Sequence, residues 1–245
     1  HGRLPERPLS PLWEVLEAHG MRLRQDGAVL HTDGQLRAGD YSLPGNVSSQ
    51  FISGLLFALP LLAEASTLTV TGALQSARYV AMTEQALAAA GIFTEKNGPV
   101  WQIGGGQRYA APAVQTVEGD WSAAAFWLCA GAMGHGKIRV DGLSCGSSQG
   151  DRRILDILRT MGFSASDFGT VSPCGPCPSR VTVDVSDVPD LFPPLAVLAA
   201  AAAAETHFTG TSRLRFKESD RLRAVDVMLT SMGIRTERSN DTFTV

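Results

Sequence analysis

The sequence predicts an α/β fold built from repeated βαβαββ units, with helices packed inside and sheets laid outside. Three observations carry that expectation. Helical segments end alike at Ala90-Gly91-Ile92, Met161-Gly162-Phe163 and Met232-Gly233-Ile234, with the glycines 71 residues apart in both steps. Glycine at such a position takes the left-handed conformation that stops a helix before a β segment. A second series, Leu43-Pro44-Gly45-Asn46, Val117-Glu118-Gly119-Asp120 and Val188-Pro189-Asp190, introduces apolar, Ala-rich helices at steps of 74 (Asn46 to Asp120) and 70 (Asp120 to Asp190), so each period holds two helices. Helices this apolar must be buried on more than one side, which places them inside and leaves the sheets outside.

The elements follow in order. Glu6-Arg7-Pro8-Leu9 precedes an amphipathic run through Leu12, Val15 and Leu16, so Arg7 stands at a helix entrance. A helix then opens at Asn46-Val47-Ser48-Ser49-Gln50-Phe51, a β-prone run covers Thr67 to Thr71, and a second helix opens at Ser76-Ala77-Arg78-Tyr79. The breaker-rich Gly104-Gly105-Gly106-Gln107-Arg108-Tyr109-Ala110-Ala111-Pro112 predicts an interdomain linker, with the boundary near residue 116. Residues 1–116 are then a partial first domain and 117–245 a partial second one. In the latter, β-prone runs at Lys137 to Asp141, Val181 to Asp184 and Thr206 to Thr209 alternate with helical stretches.

The composition excludes several classes. With 245 residues, 44% of them hydrophobic, the chain has enough apolar material for a core and is neither disordered nor a disulfide scaffold. A net charge of −3 gives no global field for a polyanion, so nucleic-acid binding is not expected and any anionic ligand has to be held by local groups. The nearly apolar run from Asp190 to Ala204 contains two prolines and falls short of the roughly 20 residues that cross a bilayer. No secretory pattern opens the chain, and a cytoplasmic monomer that does not engage membranes is the expectation.

Polar groups gather at the predicted helix entrances, and each has two local readings. Ser48 and Ser49 either cap a helix or line an anion site, because the unpaired N–H groups and positive dipole end of a helix attract phosphate. Arg215-Phe216-Lys217-Glu218-Ser219-Asp220-Arg221-Leu222-Arg223 is either a solvated helix start or a place where Lys217, Glu218 and Arg221 meet one anionic ligand. Asp190, just before Leu191-Phe192-Pro193-Pro194, is either an ordinary N-cap or a buried-end carboxylate at the head of a cleft. Cys174-Gly175-Pro176-Cys177 has the spelling of a thioredoxin-type motif. The following Ser179-Arg180-Val181-Thr182-Val183-Asp184 reads as a strand rather than a helix, so a tight turn is expected instead. Cys129 and Cys145 lack a paired spacing and the five His residues form no HExxH pattern, so no metal is expected.

Taken in order and spacing, Asn46-Val47-Ser48-Ser49-Gln50-Phe51, Ser76-Ala77-Arg78-Tyr79, Val117-Glu118-Gly119-Asp120-Trp121-Ser122, Pro189-Asp190 and Lys217-Glu218-Ser219-Asp220-Arg221 resemble the 5-enolpyruvylshikimate-3-phosphate synthase family. The resemblance implies the enolpyruvyl transferase fold and transfer of the enolpyruvyl group of phosphoenolpyruvate to the 5-hydroxyl of shikimate 3-phosphate. That reaction releases phosphate, needs no cofactor or metal, and lies on the shikimate pathway to chorismate and the aromatic amino acids. Carried over residue by residue, it assigns Ser48, Ser49, Gln50, Ser76, Tyr79, Asp190 and Lys217 to shikimate 3-phosphate, and Arg7, Gln50 and Arg221 to phosphoenolpyruvate. Asp190, Glu218 and Lys217 become the catalytic groups. Arg213 stands where the family often has Asn or another polar residue.

Family members are considerably longer than this chain. The lysine-containing strand, the Asn-Ala-Gly-Thr segment, the His-Asp-His-Arg type segment and a further lysine do not occur here. The chain is therefore expected to be an internal fragment that is inactive alone. Two other readings remain: a noncatalytic substrate-binding fragment, and the related UDP-N-acetylglucosamine enolpyruvyl transferase, which uses a loop cysteine and lacks the Ser-Ser-Gln and Lys-Glu-Ser-Asp-Arg pairing.

Overall fold

A computed structural model describes residues 8–110, 114–134, 138–166, 169–173, 178–202, 205–217 and 219–245. The chain divides into two compact units, residues 1–115 and 116–245. Each has a hydrophobic core of its own.

The first unit opens with helix α1 (Leu12–Ala18) and the antiparallel hairpin β1 (Met21–Asp26) and β2 (Val29–Gly34). Then come β3 (Asp40–Pro44), α2 (Ser49–Ala58), β4 (Ser66–Thr71), α3 (Ala77–Ala89), β5 (Thr94–Asn97) and β6 (Val100–Ile103), a complete βαβαββ unit. Its sheet runs β3-β4-β6-β5, with β3 parallel to β4 and the other pairs antiparallel. Burial alternates along β3 and β4, because successive side chains point to opposite faces: Tyr41, Leu43, Leu68 and Val70 turn inward onto the helices while Ser42 is exposed. From the helix side, Ile52, Leu55 and Leu56 of α2 and Val80 and Leu87 of α3 fill the same core.

The second unit contains α4 (Trp121–Ala132), β7 (Ile138–Arg139), α5 (Ile154–Thr160), β8 (Phe163–Ala165) and β9 (Thr170–Pro173), then β10 (Arg180–Asp184), α6 (Phe192–Ala201), β11 (Glu205–Thr209), α7 (Arg221–Ser231), β12 (Glu237–Arg238) and β13 (Thr242–Thr244). The last six elements repeat the βαβαββ order, and their sheet, β10-β11-β13-β12, has the same strand order as that of the first unit. The middle repeat departs from the expected pattern. Its sheet is β7-β9-β8, and among the described residues no strand precedes α4. Residues 114–119 form no ladder, and Val114 and Val117 are exposed.

Helix α6 is apolar all round and largely buried, with Pro193, Val197 and Ala200 partly covered and Ala201 exposed. The Phe192 ring meets Phe208 of β11 and Phe243 of β13 edge-on, each with centroids 5.4 Å apart, which fixes the helix against its sheet. The glycines that end α3, α5 and α7 all have positive φ, and the series extends one period further back: Gly20, 71 residues before Gly91, ends α1 in the same way. Behind Gly91 and Gly233 the chain folds back, Ile92 N–H donating to Leu87 O at 2.9 Å and Ile234 N–H to Leu229 O at 3.0 Å. So α1, β1 and β2 have the helix-and-hairpin order with which every repeat closes.

One expectation about chain organisation changes. The glycine-rich stretch after β6 is strapped to the first unit rather than spanning loosely between units. Gln107 N–H donates to Pro60 O at 2.9 Å, Ala110 N–H to Ala90 O at 2.8 Å, and the Tyr109 hydroxyl to Phe57 O at 2.6 Å. Flexible composition was outweighed by backbone groups that found partners. Ala111 and Pro112 lie outside the described residues, as does the Cys174–Cys177 turn.

Candidate functional site

In the first unit the polar groups sit where β3 and β4, two parallel strands, hand over to α2 and α3. The turn after β3 and the turn after β4 are tied together: Gly45 N–H donates to Thr71 O at 2.9 Å and Gln75 N–H to Gly45 O at 3.0 Å. A Cβ on Gly45 would lie 2.8 Å from Ala73 O and from Leu74 Cα, so only glycine lets the two turns approach this closely. A further link joins the helices one turn on, where Ser53 Oγ and Thr83 Oγ1 are 2.7 Å apart. The starts of α2 and α3 are thereby held side by side.

Those two starts carry hydroxyls and no acid, and Arg78 lies in the first turn of α3. Ser48 holds the N-cap position of α2 in extended backbone, φ −154° and ψ 120°, yet its side chain does not cap the helix. Ser76, at the N-cap of α3, is the only non-glycine with positive φ among the described residues, φ 55° and ψ 39°, and it makes no side-chain cap either. A non-glycine residue in the left-handed region costs on the order of 1 kcal/mol, so this start is held in place by its surroundings. Ser48, Ser49 and Ser76 are all buried. Neither helix has an acidic residue in its first turn. Of the two readings of Ser48, the side-chain cap is not what the structure contains. Tyr79 is half-buried on the first turn of α3, and Gln50 is exposed on α2.

The second unit's helix starts are acidic. Asp120 caps α4, accepting from Ser122 N–H at 2.9 Å, and Asp220 caps α7, accepting from Arg223 N–H at 2.9 Å. Asp190 lies in the 3-10 turn Pro189–Leu191, where Val188 is the N-cap, so it is not the cap that its position before an apolar helix suggested. Its carboxylate instead forms a half-buried ion pair with Arg221, the first residue of α7. Lys217 is half-buried just after the 3-10 helix Ser212–Phe216, and burial holds the neighbouring Arg213 guanidinium below its usual range. Arg7 and Glu218 fall outside the described residues.

A loop that sequence reasoning passed over completes this region. Gln149 Oε1 accepts from Trp121 N–H at 2.9 Å, and its amide donates to Glu118 Oε1 and Gly119 O, each at 2.9 Å. Two residues on, Asp151 is buried in the 3-10 turn Gly150–Arg153 and accepts from the Ser122 hydroxyl at 2.6 Å. Burial pushes its carboxyl up to about 6; Asp190 and Asp120 push the same way, while Ser122 and Arg221 pull it down. The available signal was a second Ser-Ser-Gln, at Ser147-Ser148-Gln149, 99 residues after the first. Its value was hidden because it lies in a loop rather than at the start of an apolar helix. Among the described residues no group of His, Cys, Asp or Glu could hold a metal, and the Cys129 thiol is buried and pushed up to about 12. No described helix is long and apolar enough to cross a membrane.

The repeated units, with helices packed on one face of each four-stranded sheet, define the enolpyruvyl transferase fold. EPSP synthase from Acinetobacter baumannii superposes with a TM-score of 0.74 at 23% identity, over all of this chain and 57% of that one. The enolpyruvyl transferase NikO from Streptomyces tendae does so with 0.66 at 18% identity, over 96% of this chain and 57% of that one. The family model for EPSP synthase (3-phosphoshikimate 1-carboxyvinyltransferase) matches residues 2–245, and the chain belongs to that family. The 3-phosphoshikimate 1-carboxyvinyltransferase of Clostridium kluyveri is 37% identical over 248 residues, all of this chain and 58% of that protein. That of Methanococcoides burtonii is 40% identical over 249 residues, 98% of this chain and 58% of that protein. The chain spans a little over half the length of the curated relatives it matches.

Proposed function

We propose that this chain is part of an enzyme that transfers the enolpyruvyl group of phosphoenolpyruvate to the 5-hydroxyl of shikimate 3-phosphate, and that it supplies most of the acceptor-binding groups and the central acid–base groups. The observation that carries the reading is the pair of adjoining helix starts at α2 and α3, neither with an acid in its first turn. Backbone N–H groups, two dipole ends and the hydroxyls of Ser48, Ser49 and Ser76 offer donors to one phosphate without an opposing carboxylate. Tyr79 lies one turn into α3, in reach of the ring that such a phosphate would carry, and Gln50 follows the serines toward both substrates.

In this reading Arg7 and Arg221 hold phosphoenolpyruvate, the planar guanidinium matching a carboxylate or phosphate edge. Asp190 orients the 5-hydroxyl and takes its proton as the oxygen adds to C2 of phosphoenolpyruvate, while Glu218 delivers a proton to the methylene carbon. Loss of a proton from the resulting methyl group then expels phosphate and restores the double bond. Lys217 stabilises charge beside the transferred oxygen. Because Arg221 already pairs with Asp190 in the free chain, an incoming anion has to share that guanidinium, and the ligand's binding and the acid–base group's charge are linked.

The isolated chain is proposed not to turn over, since two phosphates and a carboxylate gathered with few cations repel one another. Purified chain mixed with both substrates is expected to release no phosphate above background, and steady release would overturn that part. Calorimetric titration with shikimate 3-phosphate alone tests the first unit. Saturable heat that is lost in Ser48→Ala/Ser49→Ala is expected, and heat that never saturates at millimolar ligand would sink the acceptor assignment.

A further inference from the structure

The starts of α2 and α3 are tied twice, and neither tie uses a side chain assigned to a substrate. In front of the starts, Gly45 joins the two turns. Behind them, Ser53 Oγ of α2 meets Thr83 Oγ1 of α3 at 2.7 Å. The hydrogens of this pair have one arrangement. Thr83 Oγ1 also lies 3.1 Å from Tyr79 O, which can only accept, so the hydroxyl hydrogen of Thr83 goes to that carbonyl and Ser53 donates to Thr83. Tyr79 N–H in turn donates to Ser76 O at 3.1 Å. A run of hydrogen bonds thus leads from α2, through Thr83 and the Tyr79 backbone, to the start of α3. Residues four apart share one face of a helix, so Ser53 lies behind Ser49 and Thr83 behind Tyr79, on the faces that carry the assigned groups.

We propose that Ser53 and Thr83 are positioning residues for the acceptor site: their hydroxyl link sets the separation of the α2 and α3 starts, so that one phosphate takes donors from Ser48 and Ser49 on one side and from Ser76 on the other. Two helix starts held side by side turn like dipole ends toward each other and repel until an anion arrives, so the free chain needs a tie of its own. Apolar contacts among Ile52, Leu56, Val80 and Leu87 hold the helices together without fixing their distance, because such contacts are non-directional. A bond between two short side chains does fix it, since O–H···O bonds form only within about 2.5 to 3.0 Å. Thr83 is 7% exposed, so water scarcely competes for its oxygen. The role of the link in binding rests on the acceptor reading above, whereas the link itself belongs to the ligand-free chain.

Calorimetric titration of this chain with shikimate 3-phosphate tests the role. Thr83→Val, which keeps the side-chain shape, and Ser53→Ala are each expected to weaken binding roughly fivefold, the scale of one neutral hydrogen bond. The double variant is expected to lose the same factor rather than its square, because both changes remove one bond. Thr83→Ser keeps the hydroxyl and is expected to bind like the wild type. A packing role predicts the opposite order, since Ser fills the site less well than Val. Wild-type affinity in Thr83→Val, a double variant at the full product, or Thr83→Ser weaker than Thr83→Val overturns the proposal. Should Thr83→Val fail to fold, Ser53→Ala with Ser53→Thr as its rescue makes the same comparison. Amide NMR of the free chain reads the link without ligand: the Ser49 and Gln50 signals on α2 are expected to shift in Thr83→Val, on the other helix, and to return in Thr83→Ser. Signals that do not move sink the link whatever the ligand does. A wild type that fails to bind shikimate 3-phosphate while those signals do move brings down the acceptor reading and leaves the link between the helix starts standing.

Discussion

The two units place helix starts at the ends of similar sheets and furnish them oppositely. In the first, α2 and α3 begin at Ser48 and Ser76, with no acid in either first turn and no side-chain cap. In the second, α4 and α7 are capped by Asp120 and Asp220, Asp151 lies buried beside α4, and Asp190 pairs with Arg221. A helix start is a general donor of N–H groups, and its neighbours decide whether that donor is free for a ligand. Where hydroxyls line it, an external anion can complete it. Where carboxylates already occupy it, external anions are rejected unless a cation such as Arg221 intervenes, and the acids become available for proton transfer.

That contrast can be broken from either side. The largest effect is expected from removing the buried charge of the second unit with Asp151→Asn. The folded-state carboxyl is raised from 3.8 to about 6, so its proton is bound more tightly in the native chain than in the unfolded one. The stability this supplies is full below pH 3.8 and lost as pH rises through 6, which amounts to about 3 kcal/mol for a shift of this size. Urea unfolding is expected to find the variant and wild type alike near pH 4, and the variant more stable by up to that amount near pH 8. A constant gap across the range would refute the assignment.

Giving the first unit an acid of the second kind is the complementary change. Ser48→Asp puts a carboxylate at the α2 start, where it can cap the helix as Asp120 does, so the thermal midpoint is expected to hold or rise. Binding of shikimate 3-phosphate is expected to weaken by roughly 30-fold, about 2 kcal/mol, through like-charge repulsion. Separating the two starts is a gentler perturbation. Gly45→Ala would bring a Cβ to 2.8 Å from Ala73 O, and a loss of about 1 to 3 kcal/mol in urea unfolding is expected as the turns part. The smallest change is Asp120→Ala, which removes one N-cap bond and is expected to lower stability by about 1 kcal/mol. A null result there would mean that Gln149, which receives Trp121 N–H, caps α4 sufficiently by itself.

Much of this was readable in one dimension. The glycines at 91, 162 and 233 and the helix entrances at Asn46, Asp120 and Asp190 are local signals, because stopping a helix or starting one depends on residues within a turn of it. They located the repeats and nearly all the elements. They did not reveal that the middle repeat lacks a strand before α4 among the described residues, since pairing depends on a partner strand elsewhere. Nor could composition show that the Gly104–Ala110 stretch is strapped down by Pro60, Ala90 and Phe57.

The helix entrances divide along the same line. Ser48, Ser49, Ser76 and Asp190 were visible as polar residues ahead of apolar helices, and there a cap and a site look the same. The structure removes the cap reading for Ser48 and Asp190, because neither side chain caps the helix it precedes. Asp151 was invisible for a different reason. It stands in a polar stretch, Ser147-Ser148-Gln149-Gly150-Asp151, that reads as an ordinary loop, and only the packing of that loop against α4 buries it.

By itself, then, the sequence determined the repeat, its two helices per period, the family resemblance and the identity of the groups at each helix start. Those are properties of short segments, set by backbone preference and apolar periodicity. The tertiary structure alone decided which acid is paired and which is buried. Asp190 meets Arg221 across 31 residues, and Asp151 meets Ser122 across 29. The charge a carboxyl keeps depends on solvent and counter-charges brought to it by distant parts of the chain, so no local pattern can specify it.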